Sequence, residues 1–193
     1  MAEDNAVVEA QIRQVLQAGD RRRALNIAAR HYYKSLVRFS MRYVHDDQRA
    51  RDVAQTTFAV ASETIGDFAG RSTMHSWLCG IARHKALDSA ASAKRARLRT
   101  LPASGVVSER WIGSLAGPGT GLQHHRDVAL LREIASELSD DARNLLTLRL
   151  DDGLEYREIA TIFGVREGTL RKRMKDLLDK LLIAFDARRN PPQ

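Results

Sequence analysis

GLEYREIATIFGVREGTLRKRM, residues 153–174, decides how the C-terminal part of this chain folds. Two stretches with helical periodicity meet there at Gly164. A helix-turn-helix needs a small residue where its first helix packs on the second, a residue that tolerates the sharp turn, and an apolar anchor on the second helix. Ala160, Gly164 and Leu170 stand in that order, four and then six residues apart. The helix that follows carries an apolar stripe of Leu170, Met174, Leu177, Leu178, Leu181, Leu182 and Phe185. Its other side offers Thr169 and Lys172, flanked by Arg171, Arg173 and Lys175. Recognition helices send N-terminal residues into the major groove, where Arg and Lys meet guanine edges or phosphates. Arg166, Glu167, Thr169, Arg171, Lys172, Arg173 and Lys175 are therefore the candidates for reading duplex DNA. The bland alternative is a helical hairpin with a solvated basic face.

Working upstream, periodicity runs through Val128, Leu131, Ile134, Ala135 and Leu138. Ser139 with Asp140 and Asp141 then marks a helix start, because the acids complement the helix dipole. Leu145, Leu146, Leu148 and Leu150 follow, until Gly153 breaks the chain. Thr100 to His125 holds two of the four prolines and five of the twelve glycines, and reads as a flexible linker, with Trp111 and Ile112 as apolar islands able to dock on another surface.

The N-terminal part is helical throughout. Val7, Ile12, Val15 and Leu16 mark a first helix ending near Gly19. Leu25, Ala29, Tyr32, Leu36, Phe39 and Tyr43 lie on one face of a second. A third, capped by Asp46 or Asp47, buries Ala50, Val53, Ala54, Thr57, Phe58, Ala61 and Ile65 and exposes Arg49, Asp52, Thr56 and Glu63. A loop, 66–71, leads to Ser72 as the N-cap of a fourth, which carries Met74, Trp77, Leu78, Ile81, Ala82 and Leu87 and turns basic at Lys94, Arg95, Arg97 and Arg99. The expected fold is all-α. Two small helical domains, 1–98 and 126–193, are joined by the linker 99–125, and the C-terminal domain is a helix-turn-helix.

The net charge of +7 points to a polyanionic partner, nucleic acid or an anionic membrane surface; the alternative on charge alone is an ordinary basic soluble protein. No apolar run approaches the ~20 residues a bilayer span needs, and the acidic, charge-broken start is unlike a signal peptide. The single cysteine, Cys79, excludes an intramolecular disulfide. A cytoplasmic chain without membrane contact is expected. His75 and Cys79 share a helix face, but His84 lies on the other side, so three ligands do not converge on a metal. No nucleophile–base pattern and no phosphate-cradling glycine loop is present, so neither a catalytic residue nor a cofactor is expected.

Two further segments carry a family resemblance. Asp52-Val53-Ala54-Gln55-Thr56-Thr57-Phe58 resembles the polymerase-binding helix of extracytoplasmic-function (ECF) sigma factors, and Arg71 to Asp88, with Trp77-Leu78 and Ile81-Ala82-Arg83, resembles their promoter-melting segment. Gly153 to Ala160 and Gly164 to Leu170 are similar to the family's second DNA-reading domain. The resemblance spans roughly 20–98 and 126–187. It implies a transcription initiation factor that binds core RNA polymerase and directs promoter recognition and melting. Arg49, Asp52, Gln55 and Thr56 would then face the clamp helices of the largest polymerase subunit. Phe68, Arg71, Ser72, Met74, His75 and Arg83 would capture the unpaired −10 strand on a basic floor. The helix-turn-helix would read the duplex −35 element, and the linker would thread toward the polymerase active centre. An anti-sigma factor is a common partner in the family. The sequence leaves open whether this chain has one.

One departure stands out. Where the family commonly has Asp-Ala-Glu-Asp, this chain has Arg49-Ala50-Arg51-Asp52, and the usual Glu after Gln55 is Thr56. Like charge at an interface can cost several kcal/mol. Either other contacts compensate, or a Ser/Thr kinase restores acidity at Thr56, where a phosphate adds about −1.5 to −2 charges. The rival reading is a helix-turn-helix regulator that works without polymerase. An enzyme acting on nucleic acid, with His75 or Glu63 as base, has no constellation behind it.

Overall fold

The structure, a computed structural model, describes residues 2–97, 109–117 and 121–190. Every regular element among them is helical. The chain divides into two compact units, the first Met1–Pro102 with Thr161–Gly164, the second Ala103–Ala160 with Val165–Gln193.

The first unit is built on α1 (Ala2–Gln17), α2 (Arg21–Val44), α3 (Asp47–Thr64), a 3-10 turn (Ile65–Asp67) and α4 (Met74–Arg97). Each start has a local cause. Gly19 turns the chain at φ +82°, and the Asp20 carboxylate accepts from the Arg23 N–H at 2.9 Å. Asp46 does the same for Arg49 at 2.8 Å and caps α3. His45, at φ +50°, ends α2 in the left-handed region. The α4 cap corrects the expectation by one residue. Thr73, not Ser72, accepts from the Ser76 N–H at 3.1 Å, while the Ser72 hydroxyl donates to the Thr73 carbonyl at 3.3 Å.

The core of this unit lies between α2, α3 and α4, with α1 laid against α2. Ala24, Ala28, Ala50, Ala54, Ala61, Ala82 and Ala86 are buried and let the helix backbones approach. Tyr32, Leu36, Phe39, Val53, Met74 and Leu78 fill the space between them. The α2 stripe begins one residue earlier than its pattern implied. Ala24 and Ala28 are buried, whereas Leu25 and Ala29 are half-exposed.

The second unit contains α5 (Glu109–Ala116), α6 (Leu122–Glu137), α7 (Asp140–Leu146), a π turn (Thr147–Asp151), α8 (Tyr156–Phe163) as far as Ala160, and α9 (Glu167–Arg189). Two corrections follow. The segment expected to be an unpacked linker to residue 125 contains α5, whose Trp111 and Ile112 are fully buried against α6 and the π turn; α6 then starts at Leu122. Residues 99–108 and 118–120 of that linker lie outside the described residues, as does Leu98 before it. The helix expected through Leu150 widens at Thr147, and the Arg149 guanidinium donates to the Leu154 carbonyl at 2.9 Å. Such widened turns are commonly found at functional sites.

Arg143 explains how α6 ends. Its buried guanidinium donates to the carbonyls of Ser136 at 3.1 Å and Leu138, and pairs with Asp140, supplying the partners a helix C-terminus lacks. Ser139 caps α7, as its sequence indicated. At the start of α8 the Glu158 carboxylate reaches back to the Glu155 N–H at 3.1 Å, half of a capping box. Gly164 sits at φ +64°, and a Cβ there would meet no atom within 4 Å. Gly164→Ala is therefore expected to lose only the left-handed backbone penalty, about 1 kcal/mol, with no packing cost, which thermal unfolding would show.

Candidate polymerase and promoter interfaces

On α3 the buried stripe fixes which residues face out. Ala50, Val53, Ala54, Thr57 and Ala61 point inward, with Phe58 half-buried beside them. Asp52, Gln55 and Thr56 are exposed, and Arg49 is half-buried. The local charges are largely committed to one another. Arg51 pairs with Asp47 at 2.7 Å, and Asp52 accepts from the Gln48 amide at 3.0 Å. The Thr56 hydroxyl donates to the Asp52 carbonyl at 2.8 Å, one turn back on the same face. Thr57 makes the equivalent bond to Val53 inside the core.

The loop before α4 and the first turns of that helix hold the second group. Arg71 is exposed, while Phe68, Ser72, His75 and Arg83 are half-buried. The Phe68 ring rests on Trp77, centroids 5.3 Å apart, so two aromatic faces lie together at the loop. Met74 was expected to face DNA. Its side chain is 0% exposed, because the first turn of α4 points it into the helical core, so the DNA-facing reading of Met74 is corrected. His75 also turns inward. Its Nε2 is 2.9 Å from the Ser35 hydroxyl and its ring lies 4.9 Å from the Tyr32 ring.

A residue that sequence reading missed sits directly beneath this turn. Glu9 of α1 is 6% exposed. Its carboxylate accepts from the Met74 N–H at 2.8 Å, the His75 N–H at 3.0 Å and the Tyr32 hydroxyl at 2.8 Å. Burial, then the neighbouring Glu9 charge and the bond to it, push the Tyr32 phenol far above its ordinary range, so it remains a donor. The sequence held only part of the signal, the three-residue spacing of Glu9 and Ile12. Glu9 shares a face with Ile12, which is fully buried, whereas the apolar Val7 is 69% exposed.

The third group surrounds the helix-turn-helix. Ala160 and Leu170 are buried as their spacing required. Arg166 is the N-cap of α9. Thr169, Arg171, Lys172, Arg173 and Lys175 are exposed and Glu167 half-exposed. Arg171 is held on two sides. Its guanidinium bonds the Glu167 carboxylate at 2.6 and 3.0 Å and stacks 4.5 Å from the Tyr156 ring centroid. Arg149, from the π turn, stacks on the same ring at 4.8 Å. Tyr156 and Arg149 were not anticipated, because their pairing depends on the π turn. Leu182, expected on the buried stripe, is 60% exposed, and the neighbouring Ile183 is 68% exposed. Among the described residues no His, Cys, Asp and Glu cluster could hold a metal ion, and no helix is long and apolar enough to cross a membrane.

The family profile "Sigma-70 region 2" matches residues 28–96, and "Sigma-70, region 4" matches residues 129–181. The RNA polymerase sigma-H factor of Pseudomonas aeruginosa is 32% identical over 178 residues, which is 86% of this chain and 90% of that protein. The ECF RNA polymerase sigma factor SigC of Mycobacterium tuberculosis is 32% identical over 143 residues, 72% of each chain. The structure of the sigma factor RpoE in complex with the anti-sigma factor NepR from Bartonella quintana aligns with a TM-score of 0.52 at 19% identity, covering 82% of this chain and 94% of that one, a likeness of fold. The two profile matches cover the α2–α4 bundle and the helix-turn-helix in the order the sequence motifs required. With that, the chain belongs to the ECF sigma factors of RNA polymerase, transcription initiation factors that bind core polymerase and promoter DNA.

Proposed function

We propose a division of labour among the three exposed groups. The outer face of α3, with Arg49, Asp52, Gln55 and Thr56, docks on core polymerase. Phe68, Arg71, Ser72 and Arg83 capture the unpaired −10 strand, by stacking and by contact with phosphates. His75 supports that segment from within through Ser35 and Tyr32. The start of α9, with Arg166, Glu167, Thr169, Arg171, Lys172, Arg173 and Lys175, reads the −35 duplex. The observation that carries the last assignment is the exposure of five cations within three turns of a helix whose opposite face is buried. The DNA-capturing unit ends near residue 98, and the −35-reading unit takes in α5 as well as α6–α9.

Polymerase docking is controlled by phosphorylation at Thr56. Asp47 is held by Arg51, and Arg49 and Arg51 stand where the family has acids, so α3 offers polymerase Asp52 alone as acidic charge near Thr56. Thr56 is exposed one turn away, and a phosphate there would add about −1.5 to −2 charges. The test is transcription with purified core polymerase on genomic DNA. Thr56→Glu is expected to yield promoter-specific transcripts and to bind core about tenfold more tightly than Thr56→Ala, a coupling of about 1.4 kcal/mol. In cells where the wild type is active, Thr56→Ala is expected to be silent. A Thr56→Ala protein that matches wild type there would sink the phosphorylation reading and leave the docking assignment standing.

A further inference from the structure

We infer that Glu9 is a positioning residue: through its carboxylate, α1 fixes the first turn of α4 and so sets the shape of the segment that captures the −10 strand. The inference rests on the −10 assignment proposed above and adds a residue outside the match to region 2, which begins at residue 28.

Each backbone N–H in the first turn of α4 has an acceptor. The first backbone N–H groups of a helix have no partners within it. In α4 the Met74 and His75 N–H groups are taken by Glu9, the Ser76 N–H by the Thr73 hydroxyl, and the Trp77 N–H by the Thr73 carbonyl, the first bond of the helix itself. The Tyr32 hydroxyl occupies Glu9 from a third side. The Glu9 carboxylate therefore lies at the positive end of the helix dipole, where an anion is favoured, and Tyr32 compensates part of its lost hydration.

The consequence reaches the surface by rigid geometry. Fixing Met74 as the first residue of α4 fixes where the loop 68–73 must end, and with it the placement of Arg71 and Ser72. It also fixes the helical phase of Trp77, against which Phe68 packs, and of Arg83 further along. Without the carboxylate both of these bonds are lost at the end of a helix that must hold DNA. That end then frays, since local openings start at helix ends with the fewest partners. The outer face of α3 and the recognition helix α9 take no part in this arrangement.

The test uses the full chain assembled with core polymerase. Glu9→Ala, Glu9→Gln and Glu9→Asp are compared with wild type in core affinity and in opening of a −10 element, read by permanganate reactivity of unpaired thymines. Opening by Glu9→Ala is expected to fall roughly tenfold, the size of losing charge-assisted bonds at a helix start, with core affinity changed less than about twofold. Glu9→Gln, which keeps one acceptor oxygen, is expected to fall between, and Glu9→Asp to recover part of the loss. Core affinity and opening falling together would mean a merely structural role and overturn the proposal. So would wild-type opening by Glu9→Ala while Arg71→Ala and Phe68→Ala are defective. Normal opening by Arg71→Ala and Phe68→Ala would overturn the −10 assignment itself, and this inference with it.

Discussion

Trp111→Ala is expected to destabilise the C-terminal unit by about 3–5 kcal/mol, the range for deleting a buried large aromatic. Trp111 is fully buried on α5, a helix of eight residues. So short a helix has no independent stability, because nucleation costs more than a few hydrogen bonds return. What holds α5 on α6 and the π turn is the apolar surface of Trp111 and Ile112. Truncating Trp111 removes most of that surface and leaves a cavity beside Ile112. Denaturant unfolding of the full chain would show the transition of the C-terminal unit move to lower denaturant while that of the N-terminal unit stays in place.

Trp111→Phe makes the prediction sharper. The indole Nε1 is buried without a hydrogen-bond partner among the described residues. Phenylalanine keeps most of the ring and removes an unsatisfied donor, whose burial costs about 1–3 kcal/mol. Its net effect is therefore expected to be much smaller than that of alanine. A loss below about 1 kcal/mol for Trp111→Ala, typical of surface changes, would mean that α5 is a passenger on an unpacked linker.

That linker shows why part of the fold was readable and part was not. Where a helix packs one face on the core, burial imposes a period, and the period is visible in the residues. Phe39 and Tyr43 on α2, Val53, Ala54 and Thr57 on α3, and Ala160 with Leu170 across the turn are all buried as their spacing required. Around Trp111 the composition is rich in glycine and the helix has two turns, too few to establish a period. The π turn is invisible for a related reason, since one widened turn shifts the phase of every side chain after it while the residues remain ordinary helix formers. On α9 the stripe outlasts the core, and Leu182 is left exposed. Glu9 escaped notice because an acid on an apolar face reads as a surface residue until the helix end it serves is known. The family resemblance identified the segment around Met74 from local motifs, but motifs do not reveal that the Met74 side chain points inward. The exposed residues on α3 and α9 were legible because amphipathic periodicity sorts the outer face from the inner one.

Arg171→Ala is expected to weaken binding to a −35 duplex by about 10- to 100-fold, or 1–3 kcal/mol, and to relax the preference at one base pair, as for loss of a guanidinium paired with a guanine edge. Its geometry in the free protein explains the size. The guanidinium is aligned by the Glu167 carboxylate on one side and the Tyr156 ring on the other, so little freedom remains to be lost on binding. Arg171→Lys keeps the charge but not the planar fork, and is expected to retain non-specific affinity while losing the base preference. Lys175→Ala makes the contrast. An exposed lysine one turn further along is expected to touch phosphate, so its loss lowers affinity equally for all sequences and reduces the salt slope by about 1. Tyr156→Ala removes the stacking surface shared by Arg171 and Arg149, and is expected to lower affinity by about 0.5–1 kcal/mol without abolishing the preference. Titrations of labelled duplexes at several salt concentrations separate these effects. Uniform weakening by Arg171→Ala across all sequences would place Arg171 on the backbone and move the base-reading role to Thr169, Lys172 or Arg173.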